Sequence, residues 1–125
     1  MITGHFNDDH EARISIVVRG LEGQSRELEA LIDTGYTGFL TLSPSIVELL
    51  DLPWIGRSLA VLGDGGTQPF DVHKGIVVWD GKRLAIEVDV AETDPMIGMR
   101  LIYGHNLRIE AIEGGTVTLE SLLTM

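Results

Sequence analysis

Cysteine is absent from these 125 residues, so the chain has neither a disulfide framework nor thiolate chemistry. That suits a reducing compartment. Basic residues are scarce: 9 Lys and Arg stand against 19 Asp and Glu, for a formal net charge of −10. No Lys/Arg cluster offsets this charge, which repels phosphate backbones and anionic bilayers, so neither nucleic acid nor membrane is expected as a partner. The acidity itself serves solubility. Long apolar runs are missing too. Stretches such as Ile76-Val77-Val78-Trp79 fall far short of the roughly 20 residues that cross a bilayer. The polar start MITGHFNDDHEARIS lacks the basic and apolar regions of a signal peptide, and a cytoplasmic protein is expected. Gly-x-Gly-x-x-Gly, Gly-Lys-Ser/Thr and Gly-x-Ser-x-Gly are all absent, which leaves nucleotide-binding and serine-hydrolase readings unsupported.

What is present is a dominant period of two. In RISIVVR (13–19), Ile14, Ile16 and Val18 share one face, while Arg13, Ser15, Val17 and Arg19 share the other. SRELEALID (25–33) follows Glu22-Gly23, a hairpin turn. HKGIVVWD and KRLAIEVDV flank Asp80-Gly81, the strongest short hairpin signal. NLRIEAIE and TVTLESLL flank Gly114-Gly115. Only two segments read as helical. SPSIVELLDL (43–52) has Ser43 as N-cap, Pro44 at the first helical position and a stop before Pro53. MRLIYG (99–104) forms one or two turns ended by Gly104. Many short strands between glycine turns predict one all-β domain over 1–125, a sandwich or barrel, with residues 1–11 as a flexible acidic terminus.

In EALIDTGYTGFLTLS (29–43), an apolar strand runs into Asp33-Thr34-Gly35 and the chain then turns apolar again. A catalytic carboxylate needs such a rigid perch at a strand end. Gly35 lets the backbone bend sharply. On its own the tripeptide favours a plainer reading, an Asx-type turn in which Asp33 bonds its own backbone. Other candidates weigh less. His5, Asp8, Asp9, His10 and Glu11 gather near the start, but their spacing fits no rigid metal-ligand set, and no metal or cofactor is expected. His73 and His105 lie beside turns as surface residues, and Trp54 and Trp79 serve core or rim, with Trp54 a possible cleft wall.

The order of three features decides the reading. Ala30-Leu31-Ile32 leads into Asp33-Thr34-Gly35; VLGDGGTQPFDV (61–72) is a glycine-rich hairpin tip; Met96-Ile97-Gly98 precedes a short helix. This order, over roughly 13–122, resembles the retropepsin-like aspartic proteases, the retroviral type and its small bacterial relatives. The resemblance implies a closed acid-protease barrel with one or two short helices, working as a homodimer on peptide or unfolded protein. It makes Asp33 the catalytic carboxylate, with Thr34 bonding across the dimer axis and Gly35 shaping the loop beneath the water. Gly63, Asp64, Gly65 and Gly66 form the flap, and Ile97 and Gly98 line the supporting loop. Two residues depart from the pattern. Tyr36 stands where Ala or Ser is usual and narrows or blocks the pocket; Met99 stands where Arg, Asn or Asp is common. In retroviral members the terminal strands interleave, a part open here to residues 105–125 or to the N-terminal strand.

The count of motifs points to a dimer independently. Two carboxylates must share one proton, and no second Asp-Thr/Ser-Gly exists, because Asp64-Gly65 and Asp80-Gly81 lack the hydroxyl residue. Two other classes remain open. One is a retropepsin-like dimerisation or peptide-binding module without useful turnover. The other is an acidic β-barrel that binds another protein, with Asp33 as a turn cap.

Overall fold

The computed structural model describes residues 1–123. Ten strands and two short helices follow one another along the chain: β1 (Ile2–Phe6), β2 (Ala12–Arg19), β3 (Ser25–Ile32), β4 (Leu40–Leu42), α1 (Pro44–Leu49), β5 (Trp54–Val61), β6 (Thr67–Trp79), β7 (Lys82–Val90), β8 (Met96–Ile97), α2 (Met99–Ile102), β9 (His105–Ile109) and β10 (Thr116–Ser121). The strand order β6-β7-β4-β8-β3-β2 closes on itself through antiparallel pairing of β2 with β6, giving a six-stranded barrel. β5 extends it on one side and β1-β10-β9 on the other. Inside the ring β3 runs parallel to β8 and β4 parallel to β7.

Local chemistry sets the turns. Asp80 and Gly81 both have positive φ, 51° and 81°, as a two-residue turn matching the strand twist requires. Gly23, φ 92°, turns β2 into β3. α1 starts at Pro44 after Ser43, whose backbone is extended at φ −69°, ψ 155°. The Ser43 hydroxyl lies 3.1 Å from Ser45 Oγ rather than capping the backbone, so the expected cap exists in position only. The alternation in β2 is faithful: Ile14, Ile16 and Val18 are buried and join Leu40, Leu42, Val77, Val88, Ile97, Leu101 and Leu119 in one core.

The N-terminus corrects an expectation. Residues 2–6 are not a frayed tail but strand β1, paired antiparallel with both β10 and β2. A side chain at Gly4 would overlap the Arg13 carbonyl, so glycine admits β1 close against β2. Asn7 Oδ1 then takes the N–H groups of Asp9 and Glu11 and shapes the bend into β2. The terminal strands β1 and β10 thus pair with each other within one chain, and among the described residues the outer edge of β9 stays open. Thr124 and Met125 of the proposed interleaving segment lie outside the described residues.

Candidate active site

Asp33 follows the last residue of β3. Its N–H donates to the Ile97 carbonyl at 3.0 Å, which pins the strand end to β8. Asp33 Oδ1 accepts the Gly35 N–H at 2.9 Å. This is the Asx turn named as the plainer reading, and it also fits a catalytic role. The bond fixes the carboxylate and leaves Oδ2 without a partner among the described residues. Asp33 is half-buried, and Thr34 and Gly35 are exposed. In one chain this loop therefore presents a held carboxylate toward solvent.

The Ile97-Gly98 loop packs directly against it. Gly98 N–H donates to the Phe39 carbonyl at 3.1 Å, Met99 N–H to Tyr36 at 2.8 Å and Arg100 N–H to Gly38 at 3.2 Å. With Asp33 to Ile97, four main-chain bonds join segments 64 residues apart, from 33 to 97. Any side chain at Gly98 would overlap the Gly38 carbonyl oxygen and sit 2.7 Å from Tyr36 Cδ2. Glycine is required here by close approach, not by φ.

The β5–β6 hairpin arches away from the barrel, and its tip holds Gly63, Asp64, Gly65 and Gly66. Leu62 N–H donates to the Gly66 carbonyl, and Asp64 Oδ1 accepts the Gly66 N–H at 2.8 Å. Leu59 and Val61 near the tip are 63% and 79% exposed, apolar surface that a single chain leaves uncovered. Two cavities lie between this hairpin and the barrel. One, about 400 Å³, is lined by residues including Phe39, Leu59, Phe70, Glu87 and Arg100. The other, about 580 Å³, is lined by residues including Thr41, Gln68, Phe70, Glu92 and Met96. Asp33 lines neither, but Tyr36, three residues on, lines both.

Tyr36 resolves into a definite role. Its ring lies against Gly38 and Gly98, and its hydroxyl donates to Asp89 Oδ2 at 2.6 Å. Burial, then the Asp89 hydrogen bond, pushes the phenol well above its usual range, so it stays a donor. Burial likewise raises Asp89, partly opposed by the Tyr36 hydrogen bond. Removing that donor in Tyr36→Phe leaves a half-buried carboxylate poorly satisfied. The expected loss is about 1–3 kcal/mol by urea unfolding; unchanged stability contradicts the contact. The sign of the pH effect follows from the raised Asp89. Between the ordinary carboxylate range and its folded value, the unfolded chain has lost a proton that the folded chain keeps. The Asp89 contribution to stability therefore falls as pH rises through that window. Relative to Asp89→Asn, the parent is expected to lose thermal stability as pH rises above the ordinary carboxylate range; parallel melting curves contradict this.

Asp89, Phe70 and Arg100 were not singled out in the sequence. A signal for Asp89 existed: in β7 the buried Ile86 and Val88 alternate with Glu87 and Asp89, placing two carboxylates on the opposite face. The remaining candidates stay apart. No group of three His, Asp or Glu close enough to hold a metal occurs among the described residues. His5 lies 3.4 Å from Glu29, and Glu11 is bonded to Asn7 and Arg13. His73 Nδ1 sits 2.7 Å from the Leu52 carbonyl, and the His105 ring meets buried Trp79 edge-on. Trp54 is exposed at the base of the hairpin, donating to Asp71 at 3.0 Å, and lines neither cavity beneath it. No helix among the described residues is long and apolar enough to cross a membrane.

No family model matches the chain, and no curated protein matches it. Solved structures do. A retropepsin-like aspartic protease from Rickettsia conorii superposes with a TM-score of 0.58 at 19% identity, covering 94% of this chain and 87% of that one. The EIAV protease, solved with an inhibitor, gives 0.56 at 15% identity over 78% of this chain and 89% of that one. The chain therefore has the retropepsin-like fold, an all-β architecture built on a closed six-stranded barrel.

Proposed function

We propose that the protein is an aspartic endopeptidase that works as a homodimer. The observation that carries this reading is Asp33, held by main-chain bonds at a strand end, one carboxylate oxygen anchored and the other without a partner among the described residues, on a loop locked to Ile97-Gly98. Of the structural neighbours described above, one is an aspartic protease by name and the other a protease. One chain supplies one such carboxylate, so a second copy supplies the other across a two-fold axis. Two carboxylates about 3 Å apart cannot both ionise, so the pair shares one proton. The ionised one takes a proton from water, whose oxygen attacks the scissile carbonyl carbon, while the protonated one gives its proton to the carbonyl oxygen. The tetrahedral intermediate collapses as the newly protonated carboxyl gives its proton to the amide nitrogen, which leaves as an amine, and the other carboxylate takes a proton from a hydroxyl of the gem-diol, restoring the shared proton. In this reading Thr34 bonds across the axis, Gly35 shapes the loop, and the 62–66 tip closes over the peptide and excludes water. No cofactor or metal takes part.

Dimerisation makes specific activity depend on concentration. Dilution is expected to lower cleavage per milligram in step with the dimer fraction read by sedimentation. Activity per milligram that stays constant while the protein dissociates sinks the dimeric mechanism.

Tyr36 supports a second reading, a module that binds peptide without cutting it, because its ring occupies the wall shared by both cavities. Incubation of a labelled peptide at mildly acidic pH separates the two: fragments support the peptidase, and a bound peptide recovered intact supports the module.

A further inference from the structure

The larger cavity differs from the smaller in its charge. Its lining includes Asp71, Asp89 and Glu92 and contains no Lys, Arg or His, whereas the smaller has Arg100 beside Glu87 and Asp89. Its remaining walls are largely apolar: Pro44, Ala60, Pro69, Phe70, Val90 and Met96. Asp71 is already engaged, accepting from Trp54 and from Arg57 at 3.2 Å. Glu92 sits at an exposed rim. Asp89 is the distinctive group. It is half-buried, Oδ2 accepts the Tyr36 hydroxyl hydrogen bond, and Oδ1 has no hydrogen-bond partner among the described residues. No cation lies within ion-pair distance of it among those residues. Arg100 acts on Asp89 from the smaller cavity, beyond ion-pair distance, so a half-buried carboxylate facing the larger cavity still gains from an incoming cation in direct contact.

We propose that this cavity is a substrate subsite for an arginine or lysine side chain, its apolar walls taking the methylene stem and Asp89 receiving the charged head. The inference rests on the peptide-cleft reading above and adds the class of substrate. Long basic side chains suit such a site because their stems bury against apolar surface while the head seeks a carboxylate. Tyr36 is then a positioning residue: its hydroxyl holds Asp89 Oδ2 and leaves Oδ1 for the ligand. The net charge of −10 favours the approach of cationic peptides as well.

The test uses peptide pairs differing at one position, arginine against citrulline, which keeps shape and loses charge. The position is moved along both sides of the scissile bond. At one position the parent is expected to cleave the arginine peptide about tenfold faster in kcat/KM, the factor expected of one charge-assisted contact. Asp89→Asn, which keeps an acceptor for Tyr36, is expected to bring the ratio close to one, while Glu92→Gln leaves most of it. Equal rates for both peptides at every position overturn the subsite and leave the peptidase standing. Absence of all cleavage overturns the peptidase instead, and fluorescence anisotropy of the same peptides then decides the subsite. Tighter binding of the arginine peptide by the parent alone supports it, and equal binding overturns it. The parent's own ratio needs no variant, so a misfolded Asp89→Asn leaves the test intact.

Discussion

Asp33→Asn is expected to abolish peptide cleavage while leaving the fold intact. Loss of the ionisable group removes both the base that activates water and the acid that protonates the carbonyl oxygen, at least about 10²–10⁴ in rate. The geometry survives, because an asparagine oxygen can still accept the Gly35 N–H that Asp33 Oδ1 now accepts at 2.9 Å. Stability is therefore expected within about 0.5 kcal/mol of the parent. This separation of rate from stability distinguishes catalysis from a turn cap. As a cap alone, Asp33 has no effect on any rate, and only Asp33→Ala costs about 0.5–2 kcal/mol. Equal cleavage by parent and Asp33→Asn contradicts the catalytic role outright.

The second large effect is structural. Gly98→Ala places a methyl group into the Gly38 carbonyl oxygen and 2.7 Å from the Tyr36 ring. Neither neighbour yields easily. The Gly38 carbonyl is held by the Arg100 N–H, and the Tyr36 ring is anchored through its hydroxyl to Asp89. The two loops must separate, straining the bonds that position Asp33. The expected cost is about 3 kcal/mol, the upper range for overpacking, with a Tm lower by about 10 °C. Gly63→Ala is the control. A Cβ there meets nothing within 4 Å, so the change is expected to stay within about 0.5 kcal/mol. A Gly98→Ala protein that melts with the parent shows that the loops are not packed as described.

The sequence carried the parts of this fold whose signals are local. The alternation of Ile14, Ile16 and Val18 marked β2, Asp80-Gly81 marked the β6–β7 turn, and Pro44 marked the start of α1. The Gly98 loop was legible as a motif because close approach of the Gly38 backbone restricts which residue fits. Long-range features were not legible. Arg13 meets Asp94, and Tyr36 meets Asp89 53 residues on; neither residue's neighbours announce the pair. β5 is exposed along most of its length, so it lacks the alternation that burial imposes. β1 was misread because its polar composition suggests a tail, whereas its place is set by pairing with β2 and β10. The bulk of Tyr36 is visible in the sequence, but the bond from its hydroxyl to Asp89 is not.

Subunit mixing tests the central claim most directly. Parent and Asp33→Asn protein are combined in varied ratios at fixed total concentration, allowed to exchange subunits, and assayed on an unfolded protein substrate between about pH 4 and 7. If each site needs an Asp33 carboxylate from both copies, activity follows the square of the parent fraction, so an equal mixture retains about one quarter. Activity that falls in direct proportion, leaving about one half, or a parent that cleaves nothing across this range, contradicts a catalytic pair shared between two copies of this chain.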